Sequence, residues 1–181
     1  MQARAPLMIE HRLIEKMLLV IQKQIQIIEE TNAVNPYFVD TAVDFLRMYA
    51  DRTHHGKEEE IMFRALEKKP LSDGDRKMMD ELIADHVFSR NNTKTLVEAN
   101  KHYRNGEQTA LAQIITCLKT MVDFYPKHIQ KEDTSFFPAS RAYLSEAEDQ
   151  AMLAEFREFD SKLIHEKYNA VLKDFESRIS R

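Results

Sequence analysis

Two stretches of the chain carry metal-binding side-chain types at matching intervals. Residues 54–63 read HHGKEEEIMF and residues 128–137 read HIQKEDTSFF. Aligned on His54 and His128, both have the form H-x-x-K-E-acid-x-x-apolar-Phe, with Lys57 matching Lys131 and Glu58 matching Glu132. Each is preceded at a distance by another histidine with an acid just before it, His11 in IEHRLIEK and His86 in ADHVFSRN. His11 to His54 spans 43 positions and His86 to His128 spans 42. The chain reads as one helical hairpin written twice, each copy carrying H…H-x-x-x-E.

Residues four apart lie one above the other on a helix face, so His54 and Glu58 point the same way, as do His128 and Glu132. His54 and Glu58 share a stripe with Val43, Ala50, Ile61 and Ala65, which predicts that they face inward. Two hairpins packed about a pseudo-twofold would bring four imidazoles and two carboxylates to one level. Burying such groups without a cation is costly. Imidazole and carboxylate without thiolate suit iron, manganese or zinc and do not suit a soft metal. Six side chains exceed one tetrahedral zinc, but fit two six-coordinate ions bridged by both carboxylates. Roughly two coordination positions would then stay open, enough for a diatomic molecule or hydroxide and too few for a large substrate.

The elements that must position these groups are helices. Apolar residues recur at spacings of three and four almost throughout, and alternating β patterns are absent. Leu13, Met17, Val20, Ile21 and Ile27 or Ile28 outline a first helix over about 7–30. Asn35-Pro36 starts a second as N-cap and first-turn proline, and Pro70 ends it. Ser72 caps a third that runs to about Tyr103, before the Asn105-Gly106 turn. A fourth runs to about Ser135, with a kink or local break predicted at Pro126. Ser145 and Glu148 form a capping-box pattern that opens a fifth, to about Arg178. Short connections favour antiparallel neighbours. The expected fold is all-α, a single domain over 1–181: an up-down-up-down four-helix bundle with an additional C-terminal helix outside it or across one end.

Bulk composition narrows the function. The chain has 181 residues, 43% hydrophobic and 31% charged, with a formal net charge of −4. That is a globular composition without the basic field that nucleic acid or anionic lipid would need. The one cysteine, Cys117, excludes an internal disulfide and suits a reducing compartment. The N-terminal residues contain no signal-peptide apolar stretch and no run approaches a membrane span. A cytoplasmic protein, monomer or homodimer, is expected.

The pattern H…H-x-x-x-E…H…H-x-x-x-E on antiparallel helices resembles the hemerythrin-like, or HHE cation-binding, family over roughly residues 7–138. Carried over by motif, the resemblance implies His11, His54, Glu58, His86, His128 and Glu132 as metal ligands. It implies a non-haem di-iron centre with Glu58 and Glu132 bridging. Family members bind oxygen, sense oxygen or iron, handle nitric oxide, or help repair iron–sulfur clusters. One departure stands out. Oxygen carriers of the family have a further histidine four residues after the third-helix one, where this chain has Arg90. A fifth imidazole could come from His55 or from His165. For His55 the competing reading is a surface imidazole, or one donating to a carboxylate. Gly56 either lets a helix or small ligand approach the centre or occupies an exposed position. Tyr49 and Tyr125 either line the pocket or belong to the core.

The leading expectation is a di-iron protein that binds oxygen or nitric oxide for sensing, storage or protection. An alternative is a di-iron enzyme with peroxidase-, oxidase- or nitric oxide-directed activity, or an iron donor in cluster repair. A bundle used only for interaction would leave the histidines incidental. Ferritin-like storage fits less well, because that fold uses Glu-x-x-His.

Overall fold

The structure, a computed structural model, describes residues 2–179, with only the backbone described for residues 164, 166, 168 and 170–179. Among the described residues there are five long helical segments and no strand. Helix α1 is Arg4–Thr31, α2 covers residues 36–66, α3 is Asp73–Arg104, α4 covers residues 110–140 and α5 is Glu146–Ile179. Helices α1 to α4 form the antiparallel bundle expected from the sequence, with α1 against α4 and α2 against α3.

The predicted punctuation is present. Asn35 accepts from the Tyr37 amide at 3.0 Å and Pro36 opens α2. Ser72 accepts from the Asp75 amide at 3.1 Å. Ser145 and Glu148 make a reciprocal capping box, the Glu148 side chain accepting from the Ser145 amide at 2.9 Å. Gly106 adopts φ +94°, which an L side chain resists.

Two expectations need correction. The buried face of α1 is Leu7, His11, Ile14, Leu18, Ile21, Ile25 and Ile28, while Leu13, Val20 and Ile27 are exposed. The helix is apolar on more than one side, so composition alone allowed two stripes. Pro126 causes no break: α4 stays α-helical from Ala110 to Lys131, its inner face locked by Tyr125, His128 and Ile129 in the core. The departure from α geometry comes later, as a π-helical stretch at Glu132–Phe136. Helix α2 is widened in the same way at Phe45–His55 and Glu58–Phe63. Such i→i+5 turns are rare and place an additional residue in each turn.

The fifth helix lies along α2 in the opposite direction. Lys69 meets Glu148, Arg64 meets Glu155, Lys57 meets Asp160 and Lys167 meets Asp44. It also touches the start of α1, where the Ala3 amide donates to Asp149 at 3.1 Å. Gly56 is buried beneath it. A Cβ at that position would stand 2.8 Å from the Phe159 ring, so the glycine admits a helix.

Going along α1, an apolar layer with Leu7 comes first, then His11, then Ile14 and Leu18, then Ile21 to Ile28. A polar slab therefore crosses the bundle between apolar layers. Cys117 is buried in the last layer.

Candidate metal centre

The polar slab is built from all four bundle helices. Helix α1 brings His11, α2 brings His54, His55 and Glu58, α3 brings His86, and α4 brings His128 and Glu132. None of the seven is more than 2% exposed. In α2, five consecutive residues from His54 to Lys57 and Glu58 are buried. The widened turns help explain this: His54, His55 and Glu58 serve the centre, while Gly56 and Lys57 face α5.

Glu132 lies 3.1 Å from His11 Nε2 and 3.3 Å from His128 Nε2. Glu58 lies 3.3 Å from His86 Nε2 and 3.6 Å from His54 Nε2. The Nε2 atoms of His11, His54, His86 and His128, both nitrogens of His55, and all four oxygens of Glu58 and Glu132 are buried without a properly directed hydrogen bond. Each such atom costs about 1–3 kcal/mol. Inward-facing imidazole nitrogens and carboxylate oxygens with no hydrogen-bond partner are what a cation takes as ligands.

Two groups could hold an ion. His11, His54, Glu58 and Glu132 form one; His55, Glu58, His86 and His128 form the other. Within each group one ligand atom per residue lies within 4.8 Å of all the others. Glu58 belongs to both. His55 is thus brought into the centre: its ring stacks on His86 with centroids 3.9 Å apart, which overturns a surface position. Its counterpart in the repeat is Ile129. Burial, then the neighbouring histidines, push the His55 pKa well below the ordinary imidazole value, so the ring is neutral and free to ligate. His165 is exposed and belongs to neither group.

The outward nitrogens are held by acids, in a pattern that repeats about the pseudo-twofold. His54 Nδ1 is 3.0 Å from Glu10 and His128 Nδ1 is 3.3 Å from Asp85, the acids just before His11 and His86. His11 Nδ1 is 2.8 Å from Asp133 and His86 Nδ1 is 2.6 Å from Glu59, the acids just after Glu132 and Glu58. Carboxylates behind ligating imidazoles fix ring orientation and aim the other nitrogen inward. Each acid has a cation in turn: Lys57 on Glu10, Lys131 on Asp85, Arg12 on Asp133, Arg90 on Glu59. Burial opposes ionisation of Glu10, Asp85 and Glu59, but these bonds outweigh it and hold all three carboxyls below their ordinary values.

The sequence reading missed these four acids as partners. They follow the repeat, as the acid before each upstream histidine and the acid after each motif glutamate, but only the packing assigns each to its ring. Arg90, noted only as a missing histidine, also bonds Asp51 at 2.7 Å, and Asp51 lies 3.4 Å from His55 Nδ1. The aligned Phe63 and Phe137 stack on His86 and His11 respectively, each covering the other hairpin's imidazole. Tyr125 is buried, its hydroxyl paired with Ser89 at 2.8 Å; Tyr49 is half-buried on the α5 side.

Residues 4–140 match the hemerythrin HHE cation-binding domain. The chain belongs to the hemerythrin HHE family. No curated protein and no solved structure matches it. Cation binding is the shared property of that family, and the two groups around Glu58 are where this hemerythrin-like chain could hold the metal. No described helix is long and apolar enough to cross a membrane.

Proposed function

We propose that the centre holds two iron ions and binds a small diatomic ligand, oxygen or nitric oxide, for sensing, storage or protection. The observation that carries this reading is the unequal ligand set. Three imidazoles, His55, His86 and His128, gather on one side, and two, His11 and His54, on the other. Were two ions held there, Glu58 and Glu132 would be the carboxylates between them, and the side with two imidazoles would be the one left with room for an exchangeable ligand. Imidazole and carboxylate donors without thiolate suit iron and leave manganese or zinc as alternatives.

A di-iron pair would supply the exchangeable coordination and the electrons that a diatomic ligand needs. The chain's own residues do the rest. Phe63 and Phe137 stack over two of the imidazoles. The four acids fix the imidazole planes, so the ligand set is preorganised. One surface cavity of about 430 Å³ is lined by His128 and Asp85, at the outer edge of the slab. His55 would supply the fifth imidazole that position 90, an arginine here, does not. Carriage or sensing is therefore the reading we put ahead of a peroxidase, an oxidase or an iron donor. We expect a cytoplasmic setting, on the single free cysteine, and a monomer or homodimer that binds no nucleic acid.

The test is a titration of the anaerobic, ferrous-loaded protein with nitric oxide and then with oxygen, followed by absorption. The expected result is a saturable spectral change with about one ligand per centre, from the single exchangeable position. An iron-loaded protein that responds to neither gas would contradict the reading.

A further inference from the structure

The family match ends at residue 140, yet α5, which lies beyond it, reaches the centre. Asp160 on α5 places its carboxylate oxygens 2.9 and 3.0 Å from Lys57 Nζ. Lys57 also donates to Glu10, whose other oxygen lies 3.0 Å from His54 Nδ1. Lys57 is fully buried, its Nζ 6.0 Å from the centre of the Phe156 ring. A buried ammonium needs paired charge, and here half of that charge comes from α5.

The internal repeat supplies a control within the same molecule. Lys131 stands where Lys57 does and donates to Asp85 at 2.9 Å, with Asp85 3.3 Å from His128. Its remaining acidic neighbour is Glu81, 3.8 Å away on its own hairpin, and its side chain is 31% exposed. No α5 residue contributes there among the described contacts. The two halves of the centre thus differ in their outer support, and α5 is the difference.

We propose that α5 belongs to the metal centre: Asp160 is a positioning residue for His54, acting through Lys57 and Glu10, and the seating of α5 is coupled to occupation of the His11–His54 side. The inference rests on reading the slab as a metal site. With the Asp160 charge removed, Lys57 draws on Glu10 alone, and the carboxylate that orients His54 is re-aimed. Loss of such an outer partner typically lowers metal affinity about 10–100-fold. Coupling is reciprocal, so a metal that is held better with α5 seated must also hold α5 in place.

The test compares Asp160→Asn with Glu155→Gln, which breaks the exposed Arg64 pair on the same helix but lies off the relay. Anaerobic ferrous iron is competed against a chromophoric chelator, and both binding steps are resolved. Asp160→Asn should weaken one step about 10–100-fold and spare the other, Glu155→Gln should change neither, and Asp160→Glu should restore most of the loss. Wild-type affinity in Asp160→Asn, or an equal loss in Glu155→Gln, overturns the relay. Should Asp160→Asn fail to fold, hydrogen exchange of the wild-type backbone over residues 153–163 decides. Slower exchange on adding iron supports the coupling and unchanged exchange overturns it. A wild-type chain that takes up no metal fails the reading of the slab itself and the relay with it. Two bound irons with an unaffected variant fail the relay alone.

Discussion

At the scale of single residues, the centre is defined by buried atoms that lack partners, and two predictions belong here. His55 distinguishes this chain from a symmetric two-hairpin site, since Ile129 stands at the equivalent position. His55→Ala should lower the affinity for one of two bound ions by at least ~10-fold and alter the visible spectrum, whereas His165→Ala should do neither. An unchanged His55→Ala would return that imidazole to a packing role. The second prediction concerns the metal-free chain. Burial opposes protonation of His11, but its bond to Asp133 and the nearby Glu132 carboxylate outweigh it and raise its pKa to about 10. A raised folded-state value stabilises below the unfolded value of 6.5 and the benefit is lost as pH rises towards 10. The melting temperature of the metal-free protein should therefore fall between pH 7 and 10. A flat or rising profile would contradict the His11 assignment. Six of the seven inward residues were legible from the repeat, because His and Glu four apart share a face and each pair has a histidine upstream at a matching distance, whereas His55 stayed open until the packing was seen. The acids behind them were not, because acid-histidine neighbours are common on solvated helices and only the packing shows which acid meets which ring.

At the scale of elements, the widened turns and the fifth helix set the geometry. An α-helix would turn His55 well away from the His54–Glu58 face, and periodicity at 3.6 gave no sign of i→i+5 turns. The face of α1 was misread for a related reason: Leu13, Val20 and Ile27 make as regular a stripe as Ile14, Ile21 and Ile28. The position of α5 depends on shape more than pattern. Gly56 is the residue that fits it. Alanine there would gain roughly 1 kcal/mol of helix propensity. It would also drive a methyl to within 2.8 Å of Phe159, and overpacking of this kind costs about 1–3 kcal/mol. Gly56→Ala should lower the melting temperature, read by circular dichroism, and a stabilised variant would show that α5 is not seated on this face.

At the scale of the whole molecule, the bundle surrounds a polar slab with apolar layers, and the metal is expected to act as part of the core. A ligand bound only by the folded state stabilises it by RT ln(1 + [L]/Kd), about 4 kcal/mol at a thousand-fold excess over Kd. Chelation should therefore lower the melting temperature markedly, while His54→Ala with His128→Ala should melt the same with and without chelator. The all-α bundle and its helix boundaries were legible because caps and prolines punctuate the chain. The unequal halves of the centre were not, since they arise only when π turns and α5 act together. The most direct test of the account is metal content per chain by elemental analysis, with an absorption spectrum before and after azide. We predict about two irons per chain and an azide-sensitive charge-transfer band, as two bridged ions with one exchangeable position require. No metal, or a single zinc with no spectral response, would contradict it.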